Sequence, residues 1–125
     1  MGETKQNNRQ LGAKKEEQAV EYLSARGFRV AERNFRCQSG EIDIIGYHDG
    51  YLVFVEVKYR SGASRGGALS AVDGRKQRRI CRVADYYRYI HHCRASVMVR
   101  YDVVAIQGEE IIWIKNAFLH VCGRR

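Results

Sequence analysis

Two hydrophobic periods divide the chain. Over residues 11–26, Leu11, Ala19, Val20 and Leu23 follow the three- and four-residue spacing of a helix face. Gly27 then supplies the left-handed residue that ends such a helix. Phe28 to Phe35, ending near Arg36, reads as a first strand, Ile42 to Tyr47 as a second and Tyr51 to Tyr59 as a third. Asp49-Gly50 between the last two is a strong two-residue hairpin signal. Residues 61–70 (SGASRGGALS) form a glycine- and serine-rich loop, and Asp73 or Ser70 can cap a second helix over roughly 74–92. Val97 to Ile106 and Ile111 to Lys115 read as fourth and fifth strands, and residues 1–8 as a loose tail. A helix, three strands, a helix and two more strands describe an α/β or α+β sandwich.

Composition narrows the class. A chain of 125 residues, 45% hydrophobic and 29% charged, is one globular domain with a real core. No apolar run approaches the roughly 18 residues of a membrane span. The opening MGETKQNNRQ lacks the apolar segment of a secretory signal, so a cytoplasmic location is expected. The four cysteines (37, 81, 93 and 122) show no CxxC spacing and read as cytosolic thiols used in packing. His91, His92 and Cys93 are adjacent at a helix end and do not complete a zinc site. The net charge of +8 makes a polyanion the first partner to consider.

The chemistry concentrates in residues 40–62, where Asp43, Glu56 and Lys58 interrupt an apolar strand pair. A two-residue loop at 49–50 would set Asp43 directly opposite Glu56, and Glu41 opposite Lys58. The period of two then places Asp43, Glu56 and Lys58 on one face. Ile42, Ile44, Val53, Val55 and Val57 fall on the other, as core. Facing carboxylates repel, and a divalent cation such as Mg²⁺ resolves the repulsion, with the Val57 carbonyl as a backbone ligand. Lys58 could then hold or deprotonate a water, or sit against a phosphate, as metal-assisted phosphodiester hydrolysis requires. The alternative is a surface of cross-strand Glu/Lys salt bridges.

Both helices bear on that choice. Glu16 lies at the centre of the face carrying Gly12, Ala19, Val20 and Leu23, where a glutamate needs a partner or a metal. Glu17 and Glu21 fall on the solvent side. On the second helix Ile80, Val83, Ala84, Tyr87 and Ile90 form a packing face. Arg75, Arg79, Arg82, Tyr86 and Tyr89 form an opposite basic and aromatic stripe, widened by Arg78, while Lys76 aims at the sheet. Positive charge in a first helical turn opposes the helix dipole, and a phosphate would offset it. An ordinary solvated helix face is the alternative. Arg60 and Arg65 flank or lie in the loop, which could close over a bound strand.

These residues resemble the YraN-like family of uncharacterised bacterial proteins, predicted nucleases with a restriction-endonuclease-like fold shared with Holliday-junction resolvases. The resemblance covers about Gly12 to Phe118. It rests on Gly12, Glu16-x-x-Ala19 and Tyr22-Leu23; on Arg33-Asn34, Gly40-Glu41-Ile42-Asp43, Phe54-Val55-Glu56-Val57-Lys58 and Arg60. It continues through Lys76-Gln77, Tyr101-Asp102-Val103-Val104 and Trp113-Ile114-Lys115-x-Ala117-Phe118. The resemblance implies the PD-(D/E)XK pattern, with Ile42 in place of the proline. Asp43 and Glu56 would be the metal-binding acids, Lys58 the catalytic lysine and Glu16 the helix-borne acid of resolvase-type members. Gln77 resembles an auxiliary polar residue of some nuclease branches.

Together these readings predict a restriction-endonuclease-like α/β domain over 11–120, with a mixed central sheet and helices on both faces. A tail over 1–10 and a basic tail over 121–125 flank it. The expected function is a Mg²⁺- or Mn²⁺-dependent nuclease acting on DNA, with branched or structured DNA as a candidate substrate and RNA an open alternative. Asp43, Glu56, Glu16 and the Val57 carbonyl would hold the metal. Arg60, Arg75, Lys76, Gln77, Arg79 and Arg82 would contact nucleic acid. A homodimer follows by analogy with resolvases, and no membrane partner is expected. The competing function is a non-catalytic nucleic-acid-binding module on the same fold.

Overall fold

The computed structural model describes residues 3–60 and 72–120, with side chains from residue 10 onward. The order is α1 (Glu3–Ser24), β1 (Arg29–Cys37), β2 (Gly40–His48), β3 (Tyr51–Arg60), α2 (Gly74–Ile90), β4 (Met98–Gln107) and β5 (Glu110–Phe118). The five strands form one sheet in sequence order. Only β3 and β4, joined through α2, run parallel, so the sheet is mixed. This α/β arrangement is consistent with a restriction-endonuclease-like fold.

Both faces of the sheet are core. Ala19 and Leu23 of α1 pack with Phe28, Ile44, Val53, Val55, Val104 and Ile106. On the other face Ile80, Val83, Ala84 and Tyr87 of α2 pack with Leu52, Phe54, Tyr101 and Val103. Cys81 joins that layer, and Cys37 and Cys93 are free and half-buried. Cys122 lies outside the described residues. Ile90, expected on the packing face, is exposed at the end of α2.

Local chemistry sets the junctions. Gly27 takes φ 92°, with the Phe28 amide donating to the Leu23 carbonyl at 3.0 Å and the Gly27 amide to Ser24 at 3.3 Å. This is a Schellman end whose apolar contact is Leu23 against Phe28. Asp49 and Gly50 both have positive φ, which matches the twist a two-residue hairpin needs. Asp73 caps α2 by accepting from the Lys76 amide at 2.9 Å. Gly46 is compulsory for packing: a Cβ there would lie 2.3 Å from the Arg29 carbonyl and from the Phe28 ring.

Two expectations are corrected. Helix α1 begins at Glu3, not near Leu11, because its first turns are polar and offer no apolar spacing to read. Ile42 and Ile44 do not share a face: Ile42 packs under α2 and Ile44 under α1. The pleat is broken at Asn34, which takes φ 54° between the Arg33–Ile44 and Phe35–Ile42 pairs. The loop 61–70, Arg65, Ser70 and the tail 121–125 lie outside the described residues.

Candidate functional site

The β2–β3 ladder has the predicted register, from His48–Tyr51 to Ile44–Val55. There the strands part. Asp43 is not hydrogen-bonded across to Glu56; its carboxylate instead accepts the Val57 amide at 2.8 Å. Glu41 stays with β1, opposite Arg36, and its carboxylate meets Arg36 Nε at 3.5 Å. The expected pairing of Glu41 with Lys58 is therefore replaced by one with Arg36, because β2 has already left β3.

The parting opens a cleft at the end of the β2–β3 ladder, inside the sheet. On the α2 side it is lined by Gly40, Glu41, Asp43, Glu56, Lys76 and Arg79, and has a volume of about 640 Å³. On the α1 side Glu16, Glu41, Asp43 and Tyr59 line a second hollow. Asp43 and Val57 border both. Carboxylate oxygens of Glu16, Glu41 and Asp43 all lie within 4.8 Å of one another. Helix α1 thus delivers Glu16 to the strand acids, while Glu17 turns outward to Arg33 at 3.0 Å.

Charge in the cleft is unevenly matched. Glu56 is buried, and a single oxygen, Oε2, receives Lys76 Nζ at 2.8 Å and Lys58 Nζ at 3.5 Å. Among the described residues no Lys, Arg or His forms an ion pair with Asp43 or Glu16. Burial, then the negative charge of Glu56, pushes the Asp43 carboxyl up to about 7, with Glu16 and Glu41 adding to the rise and the Val57 amide opposing it. Burial and the hydrogen-bonded ammonium of Lys76 hold Lys58 below its usual range, against the pull of Glu56. Burial opposes the charge on Lys76, but its hydrogen bonds with Glu56 and Lys58 leave it raised.

The expected nucleic-acid residues divide. Lys76 and Arg79 line the cleft. The Arg79 stem lies where a Cβ on Gly40 would meet it at 3.0 Å, so the glycine seats the arginine. Arg75 and Arg82 are exposed on the outer face of α2. Gln77 is turned away, donating to the Val72 carbonyl at 3.0 Å, and serves the helix start. Arg60 ends β3 opposite Gln107, and its side chain lies outside the described residues.

A second polar cluster was missed from sequence. Asp102, only 1% exposed, accepts Arg100 through both carboxylate oxygens at 3.0 and 2.8 Å. It also accepts Trp113 Nε1 at 2.8 Å and the Asn116 amide at 2.9 Å. Arg100 reaches His48 Nδ1 at 3.0 Å. The readable signal was an aspartate inside an apolar strand, which must be partnered if buried.

Fold and cleft together define an α/β protein carrying an acid–lysine constellation at the point where two central strands separate. The chain belongs to the uncharacterised protein family UPF0102, whose model matches residues 15–106, in agreement with the YraN-like resemblance. It is 46% identical over 112 residues to a UPF0102 protein of Lachnoclostridium phytofermentans, covering 90% of this chain and 95% of the relative. A relative from Methylococcus capsulatus is 47% identical over 110 residues, covering 85% and 88%. One from Pseudomonas putida strain W619 is 44% identical over 108 residues, covering 82% and 88%.

Proposed function

We propose that the cleft binds Mg²⁺ or Mn²⁺ and hydrolyses phosphodiester bonds in DNA, with branched or otherwise structured DNA as the first substrate to try. One observation carries the reading: Asp43 is crowded by Glu56, Glu16 and Glu41, and among the described residues no cation forms an ion pair with it. The donor set consists of carboxylates and a carbonyl, the hard oxygen ligands that these divalent ions take. Asp43, Glu56, Glu16 and the Val57 carbonyl would hold the ion, with Glu41 beside them. When bound, it supplies Lewis-acid polarisation of a phosphoryl oxygen and offsets charge developing at phosphorus. Lys58, two residues beyond Glu56 on the same strand face, orients the attacking water and stabilises that charge. Lys76 and Arg79 hold the phosphate backbone at the α2 rim, and Arg75 and Arg82 extend the positive surface outward.

A second reading has its own support. Lys76 and Lys58 already neutralise Glu56 without any ion, as a metal-independent nucleic-acid-binding module would need. Calorimetric titration of Mg²⁺ and Mn²⁺ into the wild type, Asp43→Asn and Glu56→Gln separates the two. Binding that both substitutions abolish, followed by metal-dependent cutting of branched DNA that Lys58→Ala loses, is the expected result. DNA retention without any metal binding would leave the binding module as the function.

A further inference from the structure

The two lysines on Glu56 are not equivalent. Lys58 is fixed to the acid by the strand they share, whereas Lys76 reaches across from α2. Both converge on one oxygen, and the nearer is the one from the helix, at 2.8 Å against 3.5 Å. Asp43, meanwhile, has no ion-pair partner among the described residues. Both cleft lysines are therefore spent on one of the two strand acids.

We propose that Lys76 is a resident competitor of the divalent cation. In the free protein its ammonium holds Glu56 and keeps the cleft from being a bare cluster of acids. Entry of the cation at Glu56 requires Lys76 to leave Oε2, since that oxygen already carries two ammonium groups and a divalent ion would add a third positive centre at close range. The helix need not move: the Lys76 amide is tied to the Asp73 cap at 2.9 Å, so only the long side chain swings. Released, the ammonium stays in the cleft that Arg79 lines, where a phosphate is the available anion. Metal entry and the presentation of a backbone contact are thus one event. This inference rests on the cation reading above.

The linkage is quantitative. Apparent metal affinity is reduced by the fraction of molecules in which Glu56 is free of Lys76. A pair formed in about nine molecules of ten would weaken the metal about tenfold. The test is calorimetric Mn²⁺ binding at low ionic strength by wild type, Lys76→Met and Lys76→Gln, each first checked by thermal melting. The two substitutions keep stem length with different polarity, so a folding failure in one leaves the other. The expected result is about tenfold tighter Mn²⁺ binding by both Lys76 variants than by the wild type. Unchanged or weaker binding by the Lys76 variants, beside a wild type that binds, overturns the competitor role and leaves the metal site standing. No binding by any of the proteins overturns both.

Discussion

Replacing Asp43 with asparagine should stabilise the metal-free protein, and by an amount that depends on pH. The native carboxyl sits at about 7 against an ordinary 3.8. Between those values the folded chain holds a proton that the unfolded chain has released, so stability falls as pH rises through the window. Above about pH 7 the full cost is present; near pH 4 it is absent. The gap corresponds to a ceiling of about 4 kcal/mol. Asp43 borders an open cleft, where solvent screens it, so roughly half of that, about 2 kcal/mol, is the expected gain at pH 8. Asparagine cannot ionise, yet its side-chain oxygen can still accept the Val57 amide. For a domain of this size that is a rise in Tm of about 8 °C. The assay is thermal unfolding in a chelator from pH 4 to 8, read by circular dichroism. The two proteins should melt together at pH 4 and diverge upward. A variant that melts at or below the wild type at pH 8 would refute the account of Asp43 as a buried, charge-crowded acid. Excess Mg²⁺ should reverse the order by raising the wild type alone, by about 2.7 kcal/mol at a hundred times Kd.

Two further outcomes test the scaffold. Asp102→Ala strands the buried Arg100 guanidinium and should cost about 3–5 kcal/mol in urea unfolding, while leaving metal affinity of the folded protein unchanged. Gly46→Ala drives a methyl into the Arg29 carbonyl and the Phe28 ring, and should cost about 3 kcal/mol by the same assay; a loss under about 0.5 kcal/mol would contradict the packing at that bend.

Much of this molecule was readable because its signals are local. The hairpin at Asp49-Gly50, the end of α1 at Gly27 and the Asp73 cap each depend on residues within one turn of the chain. The approach of Glu16 to the strand acids was readable too, since a helix face needs only its own period. What failed was the assumption of an unbroken pleat. Asn34, left-handed on β1, lies alongside the stretch where Ile42 and Ile44 go to opposite faces and β2 leaves β3. Nothing in an alternating pattern marks where a ladder opens. Gln77 shows a local use that residue type alone does not signal: it donates to the Val72 carbonyl at the start of α2. The basic stripe of α2 was legible as a stripe, although of its arginines only Arg79 lines the cleft, beside Lys76 from outside the stripe.

The same sheet holds a comparison for its own candidate site. Asp102 and Asp43 are both strand aspartates beside β3: Asp102 pairs with Val55 from β4, and Asp43 of β2 accepts the Val57 amide. Around Asp102 the chain supplies an arginine fork, an indole N–H and a backbone amide. A buried carboxylate placed for structure is satisfied in that way. Around Asp43 the same chain supplies one amide and three more carboxylates, and spends its nearest ammonium groups on Glu56. Charge of one sign gathered at a strand opening costs stability in the free protein, and arginines are close enough to have relieved it: Arg36 and Arg79 border the same cleft. The arrangement becomes favourable only when a cation arrives from outside, which ties the deficit of positive charge at Asp43 to the surplus at Glu56 as two halves of one binding site.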